Sequence, residues 1–202
     1  METLKIAVIV GSVRPNRFAD KPAAWIAEQA KKREGAEVEI LDLKDYPLPF
    51  FNEAMGPSML GGKYSNEVAT KWSAKITACD AFVIVSPEYN HGPSAVLKNA
   101  LDWLFPEWAE KPVGFVSYGS VGGARAVEQL RQIAVELQMA PIRNAVHIPG
   151  STHFPILFGK AEWNAETEKG LQEQADKMLD QLVWWTNALK DARDKPALEK
   201  AA

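Results

Sequence analysis

The stretch that decides the fold is Leu4-Lys5-Ile6-Ala7-Val8-Ile9-Val10-Gly11, near the start of the 202-residue chain. It is short, rich in β-branched residues and followed by glycine, a pattern that predicts a buried β-strand. A polar segment follows, and Ala23 to Lys32 has the apolar spacing of a helix. Proline is tolerated only in the first turn of a helix, so Pro22 places the helix start between Arg17 and Asp20.

The alternation of strand and helix patterns continues along the chain. Apolar runs predict four further strands, at residues 38–41, 81–85, 113–117 and 142–148. Amphipathic spacing predicts four further helices, at residues 64–76, 96–104, 127–137 and 171–189. Strands that alternate with helices are joined by right-handed crossovers in a parallel sheet. We therefore expect a doubly wound α/β fold, with helices on both faces of a five-stranded parallel sheet. Two strand orders are common for such a sheet at this size, and we expect the order 2-1-3-4-5.

Length and composition predict one globular domain in a reducing compartment. We place this domain at residues 1–190 and expect a charged, frayed tail at residues 191–202. The net charge of −3 argues against the broad basic surface that attracts nucleic acid or an anionic membrane. The N-terminus shows no secretory signal or membrane span, and Cys79 is the single cysteine, so no intrachain disulfide forms. The expectation is a cytoplasmic protein without membrane insertion.

In such a fold the ligand site lies at the carboxyl ends of the strands, where the strand order reverses. The first loop at this edge, residues 11–17, contains Ser12, Arg14 and Arg17 just before a helix. A helix N-terminus with a hydroxyl and two guanidiniums favours a phosphate monoester. The glycine-rich pattern of dinucleotide and P-loop sites does not occur there. The alternative interpretation is a basic turn whose arginines pair with neighbouring carboxylates.

Two further loops are expected at the same edge. The third strand is followed by Ser86-Pro87-Glu88-Tyr89-Asn90-His91-Gly92-Pro93-Ser94. Its prolines and its glycine predict a rigid turn whose main chain faces a planar heterocycle, with Gly92 in a conformation closed to other residues. The fourth strand is followed by Ser117-Tyr118-Gly119-Ser120-Val121-Gly122-Gly123, whose glycines permit a close approach of the backbone to a ligand. The alternative interpretation of both loops is an ordinary strand-to-helix turn without a ligand. Taken together, the three loops predict one crevice.

These motifs also carry a resemblance to a known family. Gly-Ser-x-Arg-x-x-Arg, Pro-Glu-Tyr-Asn-x-Gly and Gly-Ser-x-Gly-Gly, in this order over roughly the first 150 residues, resemble the NADPH-dependent FMN reductases, whose relatives include quinone, azo and chromate reductases. The resemblance implies a flavodoxin-like FMN-binding domain. The sequence departs from the family pattern at Phe18-Ala19-Asp20, where many members carry Ser or Asn. The implied FMN-binding residues are Ser12, Arg14 and Arg17 for the phosphate, Pro87, Glu88, Tyr89 and Asn90 for the isoalloxazine, and Ser117, Tyr118, Gly119 and Gly122 for its other side.

The same resemblance implies an activity. NADPH or NADH would reduce the flavin, which would then pass electrons in a ping-pong cycle to a quinone, an azo compound, a metal oxyanion or free flavin. The flavin carries the reaction, so no catalytic side chain is required, and Tyr89, Asn90 and His91 are the nearest candidates. Arg125 is a candidate for binding the 2′-phosphate of NADPH. The alternatives are a flavodoxin-like electron carrier and a flavin-binding regulatory protein, each acting through a protein partner.

The remaining residues predict assembly and packing. Family members are commonly dimers or tetramers, which implies a homodimer or homotetramer here. Adjacent Trp184 and Trp185 point about 100° apart on a helix, so one of them is expected at a subunit interface. His147 and His153 have no metal-ligand spacing and are expected to be structural or surface residues, and Cys79 is expected in the core.

Overall fold

A five-stranded parallel sheet lies at the centre of the protein, in a computed structural model that describes residues 3–195. The strand order is β2-β1-β3-β4-β5. All four pairings between neighbouring strands are parallel. The strands are β1 (Leu4–Val10), β2 (Ala36–Asp42), β3 (Ala81–Pro87), β4 (Pro112–Tyr118) and β5 (Ala140–Ile148). The predicted fold class and strand order are confirmed.

Helices cover both faces of this sheet. They are α1 (Asp20–Lys31), α2 (Pro57–Leu60), α3 (Glu67–Thr77), α4 (Ala95–Asp102), α5 (Ala124–Glu136), α6 (Gly150–Leu157) and α7 (Ala165–Asp194). Helix α1 begins within the predicted interval, whereas α4 and α5 end shortly before the predicted Leu104 and Leu137. Two helices were not predicted: α2 within the long loop, and α6, which contains Pro155.

Alternate side chains of the strands form two cores. Ile6 and Val8 of β1 pack with α1 and α7 on one face of the sheet. Ala7 and Ile9 pack with α3, α4 and α5 on the other face. All four side chains are at most 1% exposed. Because helices cover both faces, the inner strands β3 and β4 are buried throughout, whereas the edge strand β2 alternates with the polar residues Glu37 and Glu39.

Helix α3 begins later than predicted. Asn66 is its N-cap, and Asn66 Oδ1 accepts hydrogen bonds from the N–H groups of Val68 (2.9 Å) and Ala69 (3.1 Å). Tyr64 therefore lies before the helix, where its hydroxyl donates to Glu107 at 2.8 Å. The four-residue spacing of Tyr64, Val68, Trp72 and Ile76 predicted that Tyr64 is helical. Tyr64 shares this spacing although it lies in the loop, because it packs against the same core as α3.

The last helix is longer than predicted. It continues to Asp194, so residues 191–194 of the expected frayed tail are helical. Asp80 Oδ1 lies 3.0 Å from Lys190 Nζ and 3.2 Å from Arg193 Nη2, and these ion pairs connect the helix end to the start of β3. Residues 196–202 lie outside the described part of the chain.

The two adjacent tryptophans of α7 point in different directions, as their spacing on a helix predicted. Trp185 packs against the core beneath α1 and α7, while the side chain of Trp184 is 65% exposed. Cys79 is buried in the opposite core, as predicted. Within residues 3–195, no helix has the length and apolar character needed to cross a bilayer.

Candidate functional site

The three loops of interest lie side by side at the carboxyl edge of the sheet. The N–H of Gly11 donates to the carbonyl of Val85 (2.9 Å), and the hydroxyl of Ser94, the N-cap of α4, donates to the carbonyl of Gly11 (2.6 Å). The N–H of Glu88 donates to the carbonyl of Tyr118 (3.0 Å). These contacts bring the loops after β1, β3 and β4 around one crevice.

Arg17 in the first loop is paired with carboxylates. Its Nη1 lies 2.7 Å from Asp42 Oδ1 and also donates to the carbonyl of Ser12, and its Nε lies 2.7 Å from Asp20 Oδ1. The hydrogen bond to Asp42 raises the pKa of Arg17. Burial would raise the pKa of Asp42, but the hydrogen bond from Arg17 holds that pKa below its ordinary value. Arg17 is therefore a basic side chain neutralised by neighbouring carboxylates, which is the alternative interpretation of the first loop given above.

Arg14 has a different environment. It is exposed, and its guanidinium lies 5.9 Å from the centre of the Tyr89 ring. Within residues 3–195 it makes no hydrogen bond or ion pair, and the N–H groups of Ser12, Val13 and Arg14 likewise have no protein acceptor. The hydroxyl of Ser12 lies 3.4 Å from that of Tyr89. The start of the loop therefore collects a cation, a hydroxyl and main-chain donors, which together suit an anion.

The second loop is a tight hairpin. Tyr89 and Gly92 exchange main-chain hydrogen bonds of 2.9 and 3.0 Å. Asn90 and His91 have φ angles of 48° and 75°, as a type I′ turn requires. The left-handed conformation expected at Gly92 is therefore found at Asn90 and His91. A Cβ at Gly92 would lie 2.9 Å from Oε1 of Gln129, an exposed and flexible side chain whose amide donates to the carbonyl of His91.

The third loop depends on two successive glycines. Gly122 and Gly123 have φ angles of 73° and 75°, and a Cβ on Gly123 would lie 2.7 Å from Cβ of Ser117 and 2.8 Å from the nitrogen of Tyr118. The buried hydroxyl of Ser117 donates to the carbonyl of Gly122 (2.7 Å) and lies 2.9 Å from Nδ1 of His147. The Ser117 side chain therefore stabilises the loop from within, and His147 has a structural role, as predicted.

Glu88 and Arg125 pair with each other. Glu88 directly follows Pro87, the last residue of β3, and its side chain is 3% exposed. Its carboxylate accepts from Nε of Arg125 (2.6 Å) and from the main-chain N–H of Arg125 (3.1 Å) at the start of α5. Gly119 allows this arrangement, because a Cβ there would lie 3.1 Å from Cβ of Glu88. The pair joins the second loop to the third, which sequence reasoning did not anticipate.

An aromatic cluster borders the crevice on the side of the first loop. Phe18, which departs from the family pattern, lies 5.0 Å from Tyr118 and 4.8 Å from His153 between ring centres. Burial raises the pKa of Tyr118. His153 is buried beside the site, not on the surface. It comes from α6, which was not predicted, so no sequence signal places this histidine near the first loop.

Comparison with known proteins identifies the family. The NADPH-dependent FMN reductase profile matches residues 4–153. An NAD(P)H-dependent FMN reductase from Schizosaccharomyces pombe is 41% identical over 149 residues, which cover 73% of this chain and 74% of that protein. An NADPH:quinone oxidoreductase from Arabidopsis thaliana is 34% identical over 141 residues, covering 67% and 69%.

A solved structure shows that the fold is shared. The flavoenzyme NAD(P)H:(acceptor) oxidoreductase FerB from Paracoccus denitrificans superposes with a TM-score of 0.66 at 23% identity, covering 90% of this chain and 98% of its own. The family match over residues 4–153 includes all three converging loops. The chain belongs to the NADPH-dependent FMN reductase family and is an FMN-dependent NAD(P)H oxidoreductase.

Proposed function

We propose that the protein passes electrons from NADPH or NADH to a small quinone in a ping-pong cycle, at the crevice between the three loops. The observation that carries this proposal is the Arg14 guanidinium, which has no ion-pair partner among residues 3–195 and lies next to the Tyr89–Gly92 hairpin. The quinone acceptor is suggested by the Arabidopsis relative's name. Azo compounds, metal oxyanions and free flavin are the other acceptors to test. An electron carrier or regulatory protein is not favoured, because the relatives are named as reductases.

The residues of the crevice fit FMN. Ser12, Arg14 and the N–H groups beside them supply donors and positive charge for a terminal phosphate. Arg17 positions the loop through Asp42 and the carbonyl of Ser12. The main chain of residues 87–90, and of Tyr118, Gly119 and Gly122, would border the bound ring. When bound, FMN supplies the redox-active ring that accepts and returns the electrons.

The protein's own groups bind and orient the reactants. Asn90 and His91 are exposed at the hairpin tip, where they would contact an incoming nicotinamide or quinone. Tyr89 is half-buried, and its hydroxyl lies 3.4 Å from that of Ser12, which supports a role for Tyr89 on the phosphate side. None of the three is required as a general base, so their replacement is expected to change KM more than kcat.

The test is an anaerobic spectral titration. Purified protein is mixed with FMN and freed of excess, and the visible spectrum is recorded before and after NADPH, NADH and then a quinone are added. We expect a retained flavin spectrum that NADPH or NADH bleaches and the quinone restores, with parallel double-reciprocal plots in steady-state assays. A retained flavin that neither nucleotide bleaches would contradict the reductase proposal and favour an electron carrier.

The Glu88–Arg125 pair allows the role of Glu88 to be tested. If Glu88 positions the loops through Arg125, Glu88→Gln should lower the free energy of unfolding by about 1 kcal/mol, because the Arg125 left behind is partly exposed. Arg125→Gln should lower it by about 2–3 kcal/mol, because it leaves the Glu88 carboxylate, whose side chain is 3% exposed, without its charged partner. The double variant should lose no more than Arg125→Gln. Urea unfolding measures these values. A loss of FMN affinity in Glu88→Gln but not in Arg125→Gln would show instead that the carboxylate itself contacts the flavin.

The proposal includes a homodimer or homotetramer in the cytoplasm. Phe50 is 80% exposed although its loop is well held, since the carbonyl of Pro49 accepts from Trp103 Nε1 (2.7 Å) and Asn99 Nδ2 (2.9 Å). A rigid, exposed aromatic residue suits an interface, as does Trp184. We expect the wild-type protein to have the mass of a dimer or tetramer in light scattering, and Phe50→Ser or Trp184→Ser to have a smaller mass. A monomeric wild type at every concentration would contradict this, and cell fractionation tests the location.

A further inference from the structure

His91 occupies a strained backbone position at the tip of the second loop. It is the second central residue of the type I′ turn, where its φ angle is 75° and where glycine is strongly favoured. The glycine of this loop stands one residue later, at Gly92, whose φ angle is not positive. A side chain in the left-handed region costs conformational free energy, which glycine would not. Histidine therefore occupies the position that suits glycine best.

The imidazole of His91 does not stabilise the hairpin. The residue is exposed, and among residues 3–195 its ring makes no hydrogen bond, ion pair or aromatic contact. The turn is held by other groups, namely the main-chain bonds between Tyr89 and Gly92 and the amide of Gln129, which donates to the His91 carbonyl at 2.6 Å. Strained residues of this kind cluster at functional sites, where the surrounding structure holds them in place. Strain together with a side chain that the described fold does not use indicates a contact with a ligand.

The charge that develops during the reaction distinguishes the two substrates at this crevice. When NADH gives up a hydride, its nicotinamide ring becomes positively charged. When a quinone takes up the electron pair, negative charge builds on its oxygen atoms. An imidazole carries at least one N–H group in either protonation state. A donor of this kind stabilises the developing negative charge of the quinone and does nothing for the positive charge of the nicotinamide.

We propose that His91 is an acceptor-binding residue, whose imidazole N–H donates a hydrogen bond to a carbonyl oxygen of the bound quinone. This inference rests on the proposed reduction of a quinone at the crevice. Overall, NADH, the quinone and one proton from water give NAD⁺ and the hydroquinone, and His91 forms and breaks no covalent bond. Because the hydrogen bond strengthens as the oxygen gains charge, it assists the quinone half of the cycle and leaves the nucleotide half unchanged.

The experiment separates the two half-reactions and adds a measurement of stability. In a ping-pong cycle, kcat/KM for each substrate depends only on its own half-reaction, so it is measured for NADH and for the quinone menadione. We expect His91→Gly to lower kcat/KM for menadione about tenfold, the effect of one lost hydrogen bond, and to leave kcat/KM for NADH within about twofold of wild type. The melting temperature of His91→Gly should rise by about 1–3 °C, because glycine relieves the turn.

Two further variants form a matched pair. His91→Asn and His91→Asp have side chains of the same shape, and both residues tolerate the left-handed region, but only the Asn amide donates a hydrogen bond. We expect kcat/KM for menadione to be about tenfold higher in His91→Asn than in His91→Asp. Equal values for the two variants would contradict the role of the donor.

Three other results would overturn the proposal. One is a wild-type kcat/KM for menadione in His91→Gly. A second is an equal loss of kcat/KM for menadione and NADH, which would assign His91 to the shape of the hairpin. A third is a lower melting temperature in His91→Gly, which would assign the side chain to the stability of the fold. If the wild-type protein reduces no quinone with NADH or NADPH, the proposed function itself fails; if it does and His91→Gly does so equally well, only the role of His91 fails.

Discussion

Replacing Gly123 with alanine should lower the free energy of unfolding by about 2–5 kcal/mol. Two effects add at this position. The φ angle of 75° places the residue in the left-handed region, which costs a side chain roughly 1–2 kcal/mol. The new Cβ would also lie 2.7 Å from Cβ of Ser117 and 2.8 Å from the nitrogen of Tyr118. Both atoms belong to β4, where the sheet prevents the backbone from moving away.

Two other glycines separate these effects. Gly159 has a φ angle of 67° but open space around it, so Gly159→Ala should show the conformational cost alone, about 1–2 kcal/mol. Gly170 lies within α7 with open space and an ordinary φ angle, so Gly170→Ala should stabilise the protein by up to about 1 kcal/mol. Urea unfolding of the three variants measures the series. Equal losses for Gly123→Ala and Gly159→Ala would show that the third loop has room to shift.

Replacing Arg14 with alanine should weaken FMN binding about 10- to 100-fold without changing the melting temperature. A charge-assisted hydrogen bond to phosphate contributes about 1.5–3 kcal/mol, whereas Arg14 is exposed and makes no ion pair within the described residues. Flavin fluorescence gives the dissociation constant and calorimetry gives the melting temperature. If Arg14→Ala binds FMN with wild-type affinity, the proposed placement of the phosphate at the first loop is wrong.

Replacing Arg17 with alanine should instead destabilise the fold. The Arg17 side chain is 4% exposed, and its loss leaves the Asp42 carboxylate, 24% exposed, without its partner. Removing one member of a fully buried pair costs about 3–5 kcal/mol, and we expect about 2–3 because Asp42 and Asp20 reach water. The lowered pKa of Asp42 means that this stabilisation is present above pH 4 and lost as the pH falls further. If Arg17→Ala is as stable as wild type but no longer binds FMN, Arg17 is a phosphate ligand, as the resemblance implied.

The order of elements could be predicted from the sequence, but several ends could not. The strands are apolar runs bounded by turns, and this local signal is enough to place them. Helix ends depend on particular partners. Asn66 begins α3 through its own side chain, whereas Asp80 supports the end of α7 from a distant part of the chain. Helix α6 lacks a regular apolar stripe and contains Pro155, so no periodic signal announces it.

The loops of the site could also be located from the sequence, because the carboxyl ends of parallel strands define one edge. The roles of individual side chains could not. Arg14 and Arg17 are equivalent in the motif, yet Arg17 reaches Asp42 on the neighbouring strand and Arg14 remains unpaired among the described residues. Glu88 finds its partner, Arg125, on α5.

Local patterns are sufficient to predict the doubly wound fold and the loops at the carboxyl edge of the sheet, because hydrophobic periodicity and turn residues act over short stretches of chain. The folded chain is needed to show which polar groups of these loops are neutralised by protein partners and which have no partner among residues 3–195. The pairing of a charge depends on distances between segments far apart in sequence, as Arg17 with Asp42 illustrates. Such distances are set by the packing of helices on the sheet, which no local pattern records.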